Sequence, residues 1–293
     1  MLRGTSDQVI EAVRAAGGGR LDLSLRRLTR VRPSVRRLPG LTGLNLSGNL
    51  ITAVPDWVGE LTTLQWLHLG HNQLAALPDT VGDLKSLTTL HLYSNQFTAL
   101  PEALGTLTGL TWLNVNNNQL AALPDAIGDL TGLTRLELDA NQLTQLPEAI
   151  GNLVNLTDLS LYGNQLTSLP DSIGNLTNLT TLNLRGNRLT ALPDSIGNLT
   201  NVTLQYDGGG RYSGTAQMRY DAASRSFKYR LPPAGRDNLP PSQQSISLSA
   251  SVTPGAPPGA AAPPVPPPGY IQIRQCVALP PIQNGPAASA PSH

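Results

Sequence analysis

Asn49, Asn72, Asn95, Asn118, Asn141, Asn164 and Asn187 stand 23 residues apart without a slip. A period held over seven copies points away from a compact domain assembled from unlike elements. It calls for one small unit stacked repeatedly on itself. Around each asparagine the same frame recurs, as in Leu61-x-x-Leu64-x-x-Leu67-x-Leu69-x-x-Asn72-x-Leu74-x-x-Leu77-Pro78. Three residues after the proline comes Val, Leu or Ile, usually followed by Gly, as in Val81-Gly82, Ile127-Gly128 and Ile196-Gly197. Full copies begin at Leu38, Leu61, Leu84, Leu107, Leu130, Leu153 and Leu176.

Each part of the frame has a physical reading. The alternation in Leu-x-Leu is the period of a strand, with one face turned inward. A strand this short cannot stand alone, so the copies are expected to pair side by side in a parallel sheet about 4.8 Å apart. The asparagine amide offers two donors and an acceptor. Stacked along the array, the seven amides can satisfy backbone groups of a buried turn, where an unpaired group costs about 1–3 kcal/mol. The Leu-Pro step and the Ile-Gly pair then form the outer return: Pro fixes the bend and Gly permits close approach to the next copy.

The frame resembles the leucine-rich-repeat family, specifically the 23-residue Leu-Pro-x-x-Ile-Gly type of plant intracellular Ras-group and bacterial proteins. The resemblance covers about residues 15–200. It implies an α/β fold, a curved leucine-rich-repeat solenoid or horseshoe with a concave parallel sheet that usually binds protein partners.

The two ends depart from the frame. Residues 21–37 read as a degenerate first repeat in which Leu21, Leu23, Leu28 and Val31 keep their places but Arg26 replaces the asparagine. Within residues 1–20, Thr5 with Gln8 forms a capping box, Val9, Ile10, Val13 and Ala16 form an apolar stripe, and Gly17 ends the helix. A helical cap over the first repeat is expected there, with a partner-binding helix as the alternative. Seven full repeats occupy 38–198. Residues 199–231 alternate as strands, with a hairpin around the turn at Asp221–Ser226, and read as a β cap or a second interaction surface. Residues 232–293 hold sixteen Pro and are expected to form a largely disordered tail. The run Pro263 to Pro268 suits a semi-rigid linker or an extended ligand for an aromatic groove, and short strands at 245–252 and 270–279 are expected to interrupt it.

Charge separates along the chain. Residues 1–37 carry nine Arg against three acids, 38–198 carry four bases against thirteen acids, and 199–293 carry seven bases against three acids. An acidic largest surface argues against nucleic acid as a partner. Cys276 is the single cysteine, so an intramolecular disulfide framework is excluded. The absence of an apolar leader and of a long apolar run leads to the expectation of a soluble cytoplasmic protein, or one delivered to a host cell without a cleaved signal. The Asn-x-Ser/Thr tripeptides at Asn45, Asn155, Asn175, Asn178, Asn198 and Asn201 follow from the repeated wording and are not read as glycosylation sites.

If the sheet is concave, the residues between and just after the paired leucines project from it in rows. One row reads Gly43, Trp66, Thr89, Trp112, Arg135, Asp158, Thr181. The next reads Asn45, His68, His91, Asn114, Glu137, Ser160, Asn183, and the third Ser47, Gly70, Tyr93, Asn116, Asp139, Tyr162, Arg185. Exposed strand positions favour aromatics for their own reasons. Even so, two of the three Trp and three of the four His, counting His71, fall in or beside these rows. Aromatics rimmed by polar groups have the composition of binding hot spots. The expected partner-binding residues are therefore Trp66, His68, His91, Tyr93, Trp112, Asn114, Asn116, Arg135, Glu137, Asp139, Asp158 and Tyr162. Trp57, on the return, is expected to pack.

His68 and His91 on adjacent strands lack a third ligand, so no metal site is expected. No phosphate-binding loop, nucleophile elbow, zinc-protease motif or kinase signature is present, and Cys276 lacks the Cys-x-Asp motif of repeat-bearing bacterial ubiquitin ligases. The reading is thus a monomeric, non-enzymatic adaptor or scaffold that binds an unidentified protein, without cofactor, nucleic acid or membrane. The alternative is a bacterial effector or signalling regulator whose repeats choose the target while the C-terminal region acts.

Overall fold

The computed structural model describes residues 5–190, 192–199, 202–205, 216–221, 226–230 and 270–272. Nine parallel strands form one open curved sheet: β1 (Gly19–Asp22), β2 (Leu41–Asn45), β3 (Trp66–His68), β4 (Thr89–His91), β5 (Trp112–Asn114), β6 (Arg135–Glu137), β7 (Asp158–Ser160), β8 (Thr181–Asn183) and β9 (Thr203–Gln205). Each pairs only with its sequence neighbours, in a constant register of one repeat from β2 to β8. The sheet then continues antiparallel through β10 (Ala216–Asp221), β11 (Ser226–Arg230) and β12 (Tyr270–Gln272). The remainder of the Pro-rich tail, including 245–252, lies outside the described residues.

Between strands the chain returns through a five-residue 3-10 helix, as at Asp79–Asp83 and Asp125–Asp129. Only a few residues separate each Pro from the next repeat's first Leu, room for a single tight turn. The α component among the described residues is therefore the terminal cap and not the returns. Pro occupies the N-cap of each return from Pro55 to Pro193, with φ between −74° and −66°. Successive returns stack so closely that a Cβ on Gly128 would lie 2.5 Å from the carbonyl oxygen of Ala149. Glycine is present there because no side chain fits. Trp57 is partly buried against the core from the first full return.

One apolar core runs the length of the array. Each repeat contributes the same inward set, for example Leu84, Leu87, Leu90, Leu92, Phe97, Leu100 and Leu104. Beside it lies the asparagine column. Asn72 Nδ2 donates to the carbonyls of Leu46, Leu69 and Gly70, and its Oδ1 accepts from the backbone N–H of Ile51. Asn95, Asn118, Asn141 and Asn164 repeat that bonding one step on, Asn49 opens the column and Asn187 ends it. Every amide thus ties its own turn to the repeat before it, with two or more buried carbonyls and one buried N–H satisfied at once.

The residue before each asparagine turns left-handed. Gly serves at Gly48, Gly163 and Gly186, but His71, Ser94, Asn117 and Ala140 hold φ between +52° and +55°. At the N-terminus, α1 (Ser6–Ala15) begins with the reciprocal Thr5–Gln8 capping box and ends where Gly18 N–H reaches Val13 O and Gly17 N–H reaches Arg14 O. Its buried face, Val9, Ile10 and Val13, joins the core and covers the open end of the first repeat.

Candidate functional site

The register puts the three rows on the concave face. Trp66 pairs with Gly43 and Thr89, Trp112 with Thr89 and Arg135, and His68 with Asn45 and His91. β1 extends two of the rows by one strand, with Arg20 beside Gly43 and Asp22 beside Asn45. These two were missed by starting the rows at the first full repeat. Stepping back 23 residues from Gly43 and Asn45 reaches both, since Leu21 and Leu23 keep the frame.

Trp66, His68, His91, Tyr93 and Trp112 come together as one cluster. Trp66 meets His68 edge-on at 5.7 Å between ring centroids, His68 lies 5.2 Å from His91, and His91 meets Trp112 edge-on at 4.5 Å. Tyr93 packs 5.4 Å from His68 and 4.9 Å from His71, and its hydroxyl lies 3.1 Å from His68 Nε2. Two glycines make room for the larger rings. A Cβ on Gly70 would lie 2.8 Å from the Tyr93 ring, and one on Gly43 would lie 3.3 Å from Trp66. The bulky residues therefore lie down on their smaller neighbours rather than standing off the sheet.

The second part of the site is polar. Arg135 lies over the Trp112 ring, 4.7 Å from its centroid, and pairs with Glu137. Asn114 and Asn116 donate from Nδ2 to the other oxygen of Glu137. Asp139 Oδ1 accepts from the Ser160 hydroxyl and from the backbone N–H of Tyr162, a residue that is 49% exposed. Asp158 accepts from Thr157 and adjoins Arg135 by register alone. Arg135 is thus the joint between an aromatic half and a hydrogen-bonded polar half.

Burial sets the protonation of the imidazoles. His91 is held down at about 4, first by burial and then by repulsion from His68 and Arg135. His68 is also lowered, by burial and by His71, with Asp22 opposing. At neutral pH both are uncharged, and the aromatic half presents an apolar surface. Buried polar atoms remain without a partner at His91 Nδ1 and Trp112 Nε1. Among the described residues no cluster of three or more His, Cys, Asp or Glu side chains could hold a metal, and no helix is long and apolar enough to cross a membrane.

A model described as "Leucine rich repeat" matches residues 20–74 and 131–189, and one described as "Leucine Rich repeats (2 copies)" matches 62–104. No curated protein sequence matches the chain significantly. Among solved structures, a leucine-rich-repeat protein of Leptospira interrogans aligns with TM-score 0.63 and 30% identity, over 70% of this chain and 58% of its own. The ectodomain of the Arabidopsis thaliana membrane receptor kinase GASSHO1/SCHENGEN3, in complex with CASPARIAN STRIP INTEGRITY FACTOR 2, aligns with TM-score 0.58 and 33% identity, over 64% of this chain and 24% of its own. An internalin of Listeria monocytogenes aligns with TM-score 0.55 and 27% identity, over 63% of this chain and 53% of its own. The chain therefore spans between about a quarter and three-fifths of these structures' length.

Proposed function

The chain is a leucine-rich-repeat protein, and from that premise we propose that it is a non-enzymatic module that binds a protein partner on its concave face. One observation carries the reading: the aromatic cluster from Trp66 to Trp112 is built on positions that the repeat frame leaves free. At the same positions later repeats carry Asp158, Ser160 and Thr181 with no loss of register. Large amphipathic rings beside a polar network match the make-up of energetic hot spots, where apolar contact is ringed by hydrogen-bonding groups. Tyr162, Asp139, Asn114, Asn116, Glu137 and Asp158 supply the polar half, which would fix the orientation of a bound segment. Two similar proteins have structures in complex with a partner, the GASSHO1/SCHENGEN3 ectodomain with CASPARIAN STRIP INTEGRITY FACTOR 2 and the plant peptide hormone receptor RGFR1 with RGF2, and they lend support to a partner-binding role.

Affinity capture with mass spectrometry tests the proposal by comparing the wild type with a folded Trp66→Ala/His91→Ala/Trp112→Ala variant. A partner retained by the first and lost by the second supports the concave face. Identical captured sets would reject it.

A second reading has its own observation. The sheet reverses direction after β9 and continues through β10 and β11, so the C-terminal part is joined to the repeats by strand pairing. On that reading the repeats select a target and the C-terminal region acts on it. Deleting residues 200–293 would then preserve capture and abolish the biological effect. A truncated chain with full effect would eliminate the idea.

A further inference from the structure

The aromatic half of the concave face contains two imidazoles that no repeat geometry requires. His91 is 9% exposed, and its Nδ1 has no partner. It stands between His68 on β3 and Trp112 on β5, with centroid distances of 5.2 and 4.5 Å. The Arg135 guanidinium lies over the same Trp112 ring, 4.7 Å from its centroid. His68 is in turn flanked by Trp66, by Tyr93 through its hydroxyl, and on the next turn by His71. The rings form an unbroken series from β3 to β5, ending under a fixed cation on β6.

We propose that His68 and His91 form an acid-sensitive switch in the concave face: neutral imidazoles keep the stack closed and apolar, and protonated ones part it and make it cationic. The use of such a switch, loss of an apolar partner on acidification, rests on the concave-face reading above. The switch itself does not.

The charges that face each group decide its direction. His91 faces His68 from β3, Tyr93 from the turn after its own strand, Trp112 from β5 and Arg135 from β6; Glu137 pairs with that arginine. His68 faces His71 from its own turn, Asp22 from β1, and His91 and Tyr93 from the next repeat. Asp22 is its carboxylate neighbour, and one oxygen of that group already accepts from the Ser24 N–H. A proton on His68 is thus weakly compensated, and a second on His91 meets a cation on each side. Burial acts in the same direction by disfavouring either charge. The two groups are coupled, so the pair titrates in two steps rather than as independent imidazoles. The second step must either separate the rings or bring in water.

The experiment uses the full chain alone. Imidazole signals are followed by NMR between pH 8 and 4, alongside tryptophan emission, with far-UV circular dichroism reporting the fold. The switch predicts that both cluster imidazoles take up protons below the ordinary range, His91 after His68. Trp emission changes in step with His91 while circular dichroism stays constant. In His68→Gln the midpoint of His91 moves up, and in His91→Gln the emission change disappears. The proposal is overturned if both imidazoles titrate as ordinary exposed groups, if His68→Gln leaves His91 unmoved, or if emission changes only as circular dichroism is lost. Because no partner enters the measurement, its failure would leave the binding proposal standing. Failure of capture by the wild type would leave the titration standing.

Discussion

The inward and outward sides of each strand obey different rules, and the difference separates folding from function. Inward positions carry nearly the same residue in every copy. The column at Leu67, Leu90, Leu113, Leu136, Leu159 and Leu182 is one residue type at 0–1% exposure, and Asn72 to Asn164 repeat one hydrogen-bond scheme. Outward positions on the same strands run through Trp66, Thr89, Trp112, Arg135, Asp158 and Thr181. The backbone is satisfied by either set. A position that repeats is fixed by packing, and one that varies while its neighbours repeat is free to carry recognition.

Substitutions on the two sides should therefore separate stability from binding, and the largest stability effect is expected inside. Asn95→Ala takes one of the two amide donors from each of the Leu69 and Leu92 carbonyls, which keep Asn72 and Asn118, and leaves the buried Leu74 N–H unpaired. A loss of about 3 kcal/mol in chemical unfolding is expected, since the unpaired N–H costs about 1–3 kcal/mol and each carbonyl bond lost about 0.5–1.5 kcal/mol. A loss under about 1 kcal/mol would break the distinction. Next comes Gly128→Ala on the outer return, where the new methyl would meet the Ala149 carbonyl at 2.5 Å. Overpacking of that kind costs about 1–3 kcal/mol and should lower the melting temperature without altering capture.

Stability also depends on pH through an outward-facing histidine. His91 is held at about 4 in the folded chain, below its ordinary value. The unfolded chain therefore binds the proton first, and stability present above about pH 6.5 declines as pH falls toward 4. His91→Gln should flatten that slope in urea titrations at successive pH values, whereas Asn95→Ala should shift the curve without flattening it. Trp66→Ala, partly buried on the concave side against His68, should change stability by about 1–2 kcal/mol, less than Asn95→Ala because no buried backbone group loses its partner. The smallest expected effect has the opposite sign. Ala140 holds φ +52°, and Ala140→Gly should gain a few tenths to about 1 kcal/mol as left-handed strain is relieved against the extra freedom of glycine when unfolded.

Much of this architecture is legible in the sequence. In a stacked array the neighbour of each residue is the residue 23 positions away, so sequence spacing is spatial contact. Aligning the repeats places Trp66 against Thr89 and His68 against His91, and the β pairing has the same register. The features that were not legible are the ones that period does not encode. Whether the return is an α or a 3-10 turn depends on fitting five residues between proline and leucine. The left-handed turn at His71, Ser94, Asn117 and Ala140 is hidden because glycine marks it only in other copies. The ring-to-ring geometry that joins His68, His91 and Trp112 depends on side-chain rotation, which spacing cannot supply. Arg20 and Asp22 fall outside rows that start at the first full repeat, although Leu21 and Leu23 keep the frame that reaches them.

On the concave-face proposal, recognition belongs to the strands of the second to fourth full repeats. Hydrogen exchange, read with and without the captured partner, tests it most directly. Slowed exchange is expected in peptides spanning 64–72, 87–95 and 110–118, with the outer returns unchanged. Protection confined to the 3-10 returns, or to residues 203–230, would contradict it.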